Sequence, residues 1–183
     1  AEEAARRAAE AAAAAAAATS TTLPAATTTT STTTTTVAVT EATEGASGGG
    51  ARTCPVDGYS RFSDTWGASR SGGRGHEGVD MLAARGTPVV AVEAGSIKSL
   101  RNSTLGGITV WLSGESGDVF YYAHLDAHAP GLSTGQSVTV GAPLGYVGTS
   151  GNAPEGVPHL HFEHHPGGGS ATNPYPLAKS LCG

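Results

Sequence analysis

The first 50 residues lack the side chains from which enzyme sites are usually built. They contain no histidine, no aromatic residue and no cysteine, whereas residues 51–183 hold all seven histidines and both cysteines of the chain. Positive charge is also scarce, because ten Lys and Arg stand against fifteen Asp and Glu and give a formal net charge of −5. No nucleic-acid partner is expected, since such binding needs clustered Lys and Arg to displace counterions from phosphates.

The sequence has no long apolar run either. Its longest uncharged stretch near the amino terminus, residues 11–40, is alanine followed by threonine and is too weakly apolar to cross a membrane. The only methionine is Met81, and no signal-peptide pattern opens the sequence. We therefore predict no membrane span in this chain and interpret it as a processed product or a fragment.

Composition divides the chain into three parts. Residues 1–18 are rich in Ala and have strong helix propensity, which predicts a solvated tail that is helical or disordered. Residues 19–50 are rich in Thr and Gly and cannot bury enough apolar surface to offset the entropy of ordering, so they predict a flexible linker. Residues 51–183 are numerous enough for one hydrophobic core and are expected to form a single, monomeric domain.

The two cysteines, Cys54 and Cys182, lie at opposite ends of this last segment. Their placement favours one disulfide that ties the ends of the domain together in an oxidising compartment. The alternative is a pair of free thiols in a cytosolic protein. The threonine-rich spacer before the domain points outside the cell, so the disulfide is the prediction.

The pattern after Cys54 is typical of an all-β fold. No segment keeps a 3.6-residue periodicity, and nothing between the strand candidates could serve as a crossover helix. Short runs rich in Val, Ile, Tyr and Phe alternate with turns rich in Gly, Pro and Ser, which favours antiparallel sheets in a sandwich or barrel-like arrangement. The predicted strands are Pro88–Glu93, Ser96–Asn102, Gly107–Ser113, Val119–Leu125, Ser137–Val140, Pro143–Val147 and His159–His164.

Two segments place histidines close to carboxylates. On a flat strand His76 and Asp80 would lie roughly 13 Å apart, at ~3.3 Å per residue. Both can reach one ion only if the chain bends between them, and Gly78 is placed to allow that bend. The alternative for this segment is a surface loop with a turn aspartate. In the segment 159–163, strand alternation places His159, His161 and Glu163 on one face and two apolar residues on the other, core-facing side. Its alternative is a half-exposed strand whose polar face meets water.

A third segment ends in His124, which alternation places on the same face as Phe120 and Tyr122. Alone, a histidine there is more often a hydrogen-bonded structural residue than a catalyst. Taken together, a carboxylate and several imidazoles form a mixed nitrogen and oxygen set that suits zinc, and three protein ligands would leave a fourth position for water. Zinc can bring the pKa of that water to about 7, and neutral histidines can act as the base.

Five segments of the domain resemble, in the same order, the motifs of lysostaphin-type zinc metallopeptidases. The resemblance extends over about residues 54–178, which is nearly the whole domain. Each motif is weak alone, but five in register with the correct spacing form a specific pattern. The matching segments are Trp66–Gly67 with Ser71–Asp80, Gly86–Val92, Tyr122–Leu125, Gly148–Gly151 and His159–Glu163.

The resemblance implies that His76, Asp80 and His161 ligate one Zn²⁺ per domain. It implies that His124 and His159 are the unligated pair that positions and deprotonates the water and stabilises the oxyanion. None of these five residues is missing, which argues against an inactive member that keeps the fold and loses ligands. Spacing alone leaves open which of the two histidines in the segment 159–163 binds the metal.

The resemblance also implies a fold of two antiparallel sheets that form a groove with zinc at its floor. Members of the family cut peptides of bacterial peptidoglycan, so we expect a secreted or envelope-anchored zinc endopeptidase with that substrate. Two alternatives stay open: a catalytically silent module of the same fold that binds cell wall or activates a hydrolase, and a surface protein that sequesters metal. His128, His164 and His165 match no family position, and solvated or supporting roles are expected for them.

Overall fold

The computed structural model describes residues 50–183, which contain eight β-strands and one α-helix. The predicted tail (1–18) and, except for its last residue, the predicted linker (19–50) lie outside the described residues. The strands are β1 (Val79–Leu82), β2 (Pro88–Val90), β3 (Gly95–Ser103), β4 (Gly107–Gly114), β5 (Val119–His128), β6 (Ser137–Val138), β7 (Pro143–Val147) and β8 (His159–His165), and the helix is α1 (Tyr175–Cys182).

The strands form one branched antiparallel network rather than two separate sheets. The main path runs β1-β8-β5-β4-β3-β6, and β7 pairs with both β5 and β2. The all-β prediction is confirmed, and the arrangement differs from two sheets because β5 is long enough to hold two partners on one edge. Residues 119–123 of β5 pair with β8, and residues 125–128 pair with β7.

The core lies against the apolar face of β8. Leu160 and Phe162 are fully buried, and Phe162 stacks on Phe120 with ring centroids 6.0 Å apart. On the opposite face of the strand, His159 and His161 line an open groove. The alternation predicted for this segment is therefore present, with apolar side chains in the core and imidazoles toward the groove.

β5 departs from regular alternation at His124, whose φ of 62° lies in the left-handed region. The register between β4 and β5 shifts here, so that two residues of β5 oppose one of β4. This β-bulge places Ala123 and His124 consecutively at the groove and returns Leu125 to the core. The prediction that His124 shares the face of Phe120 and Tyr122 is therefore wrong, because the bulge turns its imidazole to the other side.

The sequence also predicts no helix in the domain, whereas α1 occupies Tyr175–Cys182. Two turns are too few for a helical periodicity to be recognised. Pro176 lies in the first turn, where its missing N–H is not needed, and Ala178 is buried in the core. No helix in the described part of the chain combines the length and the apolar character that a membrane span requires.

A disulfide joins Cys54 to Cys182, with Cα atoms 5.0 Å apart and a sequence separation of 128. Reduction is expected to lower the free energy of unfolding by about 2–5 kcal/mol, because the bridge restricts the unfolded chain. Thermal unfolding with and without reductant measures the effect, and the Cys54→Ser/Cys182→Ser double variant controls for effects of the reductant itself. A wild-type melting temperature that reduction leaves unchanged would contradict this prediction.

Candidate metal centre

The groove above the histidine face of β8 has a volume of about 600 Å³. Its floor combines same-face residues of β8 with neighbours from β1 and β5, and loops around residues 70–77, 105–106 and 152–157 surround it. All five residues that the sequence proposes for the site line this groove. They are His76, Asp80, His124, His159 and His161.

Three of these side chains converge on one another. His76 Nε2 lies 2.9 Å from Asp80 Oδ1 and 3.0 Å from His161 Nδ1, and His161 Nδ1 lies 3.0 Å from Asp80 Oδ1. Asp80 of β1 is paired directly with His161 of β8, while His76 comes from the loop before β1. Three donors bound to one zinc ion at about 2.0–2.1 Å with tetrahedral angles lie about 3.3 Å apart, so the observed spacing is close to that of a metal-binding triad.

Gly78 permits this convergence in two ways. The chain bends at Gly78, and His76 and Asp80 meet across the bend. A Cβ at position 78 would lie 2.6 Å from Cε1 of His161 and 2.7 Å from the carbonyl oxygen of Phe162. Any larger residue would therefore push the His161 ring away from the other two donors.

Hydrogen bonds on the far side of each imidazole determine which nitrogen carries the proton. His76 Nδ1 lies 3.0 Å from the carbonyl oxygen of Thr65, and His161 Nε2 lies 2.9 Å from Oε1 of Glu163. Carbonyl and carboxylate oxygens only accept, so these two nitrogens donate. In the neutral rings, the lone pairs of His76 Nε2 and His161 Nδ1 then face each other and an oxygen of Asp80, an arrangement that a cation stabilises. The donor set thus fits a divalent metal ion.

The charges around the triad are strongly coupled. Burial would raise the pKa of Asp80, but hydrogen bonds with His161 and His76 outweigh it and hold this pKa well below its usual range. Arg70 donates from Nη2 to Oδ2 of Asp80, which leaves Oδ1 to face the two rings. Burial would lower the pKa of His161, but contacts with Asp80 and Glu163 raise it to about 9. These two carboxylates therefore concentrate negative charge beside the histidines.

His124 and His159 stand beside the triad without joining it. Their ring centroids are 4.9 Å apart, and His159 Nε2 lies 3.9 Å from Asp80 Oδ1. Each Nδ1 lies 2.8 Å from a backbone carbonyl oxygen, that of Ser150 for His124 and that of Val157 for His159. Each neutral ring therefore keeps an unprotonated Nε2. Burial lowers the pKa of His124 to about 4, against the opposing effect of the Ser150 carbonyl, so this ring is neutral at pH 7.

Supporting residues that sequence reasoning did not assign to the centre include Thr65, Arg70 and Glu163. The position of Glu163, two residues after His161 on the same strand face, is a signal that could have identified it. Burial would raise its pKa, but hydrogen bonds with His161 and His165 lower it and keep it ionised. The sequence carries no comparable signal for Thr65 and Arg70, because their contacts depend on how the loop before β1 folds.

The three histidines without an expected role have different surroundings. His165 lies in the groove, where its Nε2 is 2.7 Å from Oε2 of Glu163 and its ring centroid is 5.2 Å from that of Trp111. His164 Nε2 is 2.8 Å from a carboxylate oxygen of Asp118, outside the groove. His128 Nε2 is 3.0 Å from the carbonyl oxygen of Thr109. Of these three, only His165 is connected to the triad, through Glu163.

Comparison with known proteins places these residues in a family. Residues 74–174, more than half of the chain, match the family model of Peptidase family M23. The chain belongs to peptidase family M23. Over 125 residues the M23 chain is 34% identical to the L-Ala–D-Glu endopeptidase of Bacillus subtilis (strain 168). The aligned part is 63% of this chain and 38% of that protein, so the chain spans well under two thirds of the relative's length.

Solved structures agree with this assignment. The catalytic domain of the antimicrobial peptidase lysostaphin from Staphylococcus simulans superposes with a TM-score of 0.57 and 29% identity, over 66% of this chain and 92% of that one. A zinc-containing peptidase from Vibrio cholerae superposes with a TM-score of 0.55 and 26% identity, over 66% of this chain and 38% of that one. The resemblance of the M23 domain to lysostaphin-type peptidases is thus confirmed.

Proposed function

We propose that this chain is a zinc-dependent endopeptidase that hydrolyses peptide bonds in bacterial peptidoglycan. The observation that carries the proposal is the convergence of two imidazole nitrogens and one carboxylate oxygen within 3.0 Å of one another, with two more imidazoles alongside. Three nitrogen and oxygen donors with a fourth position left for water are typical of catalytic zinc sites. We assign His76, Asp80 and His161 as the ligands of one zinc ion per domain.

A zinc ion held by these residues supplies Lewis acidity, which polarises a peptide carbonyl and brings the pKa of water to about 7. His159 and His124 each offer an unprotonated Nε2, and we assign them the transfer of the proton from the attacking water to the leaving amine. A ring that has accepted the proton carries a positive charge, which stabilises the negative oxygen that develops on the attacked carbonyl. Glu163 and Arg70 hold the outer sides of two ligands and keep them oriented.

We infer the substrate and the location from the relatives and from the disulfide. One relative cleaves between L-Ala and D-Glu according to its name, and a D-residue in such a bond points to the peptides of bacterial cell wall. Disulfides persist in oxidising compartments, and Cys54 is bridged to Cys182. We therefore place the protein outside the cytoplasm, either secreted or anchored to the envelope, with residues 51–183 as the catalytic domain and residues 1–50 as tail and spacer.

Digestion of purified sacculi tests the proposed function. Zinc-loaded protein is expected to release new amino termini, a chelator to abolish the release, and added zinc to restore it. Magnesium is the matched control, because it prefers oxygen ligands and is not expected to replace zinc at imidazoles. Mass analysis of the released fragments identifies the bond that is cut. If zinc-loaded protein sediments with sacculi but releases no amino termini, the assignment as an endopeptidase is wrong and the alternative, a silent module that binds cell wall, is supported.

Zinc affinity is expected to rise with pH, by about tenfold per pH unit, up to about pH 9. The pKa of His161 is raised to about 9 in the metal-free protein, so zinc must displace a proton from this ring at every lower pH. The raised pKa of His161 also stabilises the folded, metal-free protein, because the folded state binds this proton more tightly than the unfolded chain. This stabilisation is fully present below the ordinary histidine pKa of about 6.5 and is lost as pH rises through 9.

Competition with a chelator at pH 6 to 10, corrected for the chelator's own protonation, measures this affinity. The Glu163→Gln variant is the matched control, because it removes one of the two carboxylates that raise the pKa of His161. Its zinc affinity is expected to level off at a lower pH. An affinity of the wild type that levels off near pH 6.5 would show that the ring is not held as a cation.

A further inference from the structure

The loop Gly148–Gly151 matches a family motif, and the proposed chemistry uses only the carbonyl oxygen of its Ser150, as the hydrogen-bond acceptor for His124 Nδ1. The loop packs backbone to backbone against the turn that begins β4. Gly107 and Gly151 have φ angles of 63° and 74°, and a Cβ on either would overlap the other segment. The position of the loop relative to β4 is therefore closely determined.

The hydroxyl group of Ser150 in this loop bridges β4 and β5 beside the bulge. It accepts a hydrogen bond from Ile108 N at 2.9 Å and donates one to the carbonyl oxygen of Leu125 at 2.6 Å. Ile108 and Leu125 are partners across the two strands, on the side of the bulge where pairing resumes. One side chain thus satisfies a backbone donor of β4 and a backbone acceptor of β5 at the point where the register shifts.

The backbone of the same residue holds the imidazole of His124. The carbonyl oxygen of Ser150 accepts from His124 Nδ1 at 2.8 Å, and the backbone N–H of His124 donates to the carbonyl oxygen of Gly106 at 2.8 Å. A left-handed backbone is unfavourable for a non-glycine residue, so these contacts must hold His124 in place. Ser150 contributes three of the hydrogen bonds that surround the bulge.

We propose that Ser150 is a positioning residue that stabilises the β-bulge. It thereby keeps the proton of His124 on Nδ1, so that Nε2 faces the groove. The inference rests on the proposed function, because that function gives His124 Nε2 its part in proton transfer. Without the hydroxyl group, Ile108 and Leu125 lose their shared partner. The bulge can then relax toward regular alternation, which turns the imidazole away from the groove.

The tautomer of His124 tests the proposal independently of activity. In zinc-loaded protein labelled with ¹⁵N-histidine, the ring is expected to give the nuclear magnetic resonance signals of the Nδ1–H form. Ser150→Ala is expected to give a mixture of tautomers, and Ser150→Thr, which keeps a hydroxyl group, to restore one form. Ser133→Ala is the control, because the hydrogen bond of this exposed hydroxyl group within residues 50–183 is to the side chain of Gln136 and not to the bulge.

Rates on purified sacculi provide the second measurement. Ser150→Ala is expected to lower the maximal rate by about ten- to a hundredfold, while zinc content and the half-saturating sacculus concentration stay unchanged. An Nε2–H tautomer of His124 in the wild type would overturn the proposal. A Ser150→Ala variant with the same spectrum and the same rate as the wild type would also overturn it. If Ser150→Ala does not fold, the tautomers of the wild type and Ser150→Thr decide the outcome. Expected tautomers without any hydrolysis by the wild type would reject the proposed function and support the positioning role.

Discussion

The Asp80→Ala variant is expected to lose both its zinc and its hydrolytic activity. It lacks the only negatively charged donor of the triad and leaves the guanidinium of Arg70 facing two imidazoles. A catalytic metal ion contributes several kilocalories per mole to transition-state stabilisation, which corresponds to about a thousandfold or more in rate. Elemental analysis after dialysis measures the zinc, and release of amino termini from sacculi measures the rate.

Asp126 offers a matched control for this substitution. It also pairs with an arginine, Arg85, but its side chain is 43% exposed and does not line the groove. Asp126→Ala is expected to keep one zinc ion per chain and a rate within about twofold of the wild type, because surface substitutions change free energies by about 0.5 kcal/mol or less. If Asp80→Ala keeps its zinc and its rate, the triad is not the metal centre.

At this site, the sequence could predict only those features that depend on local periodicity. In β8 the alternation of imidazoles with Leu160 and Phe162 is a property of any extended strand, and the structure has it. The choice of ligand was different, because spacing treats His159 and His161 alike. The register of β1 on β8 places Asp80 opposite His161, and this pairing joins segments about eighty residues apart. Only the resemblance to the lysostaphin-type family favours His161 over His159 as the proposed ligand.

The orientation of His124 could not be predicted, for a related physical reason. Its left-handed backbone breaks the alternation of β5, and the groups that stabilise this conformation come from Gly106 and Ser150. No pattern within residues 119–125 indicates a bulge. The helix α1 was not predicted because eight residues give too few repeats for a helical period to be recognised. The strand β1 was not predicted although it is longer than β2 and β6, because it directly follows the glycine-rich segment 72–78, whose composition is typical of a loop.

The His159→Ala and His124→Ala variants are expected to keep zinc and lose hydrolysis, which distinguishes them from Asp80→Ala. Removal of a residue that transfers protons costs about a hundred- to ten-thousandfold in rate. His128→Ala is the control, because its ring bonds to a backbone carbonyl outside the groove and the rate is expected to persist. Loss of zinc from His159→Ala would instead show that the imidazole of His159 is a zinc ligand in the wild type. If the two rings act as one unit, the double variant is expected to be no slower than the slower single variant, since effects of cooperating residues do not add.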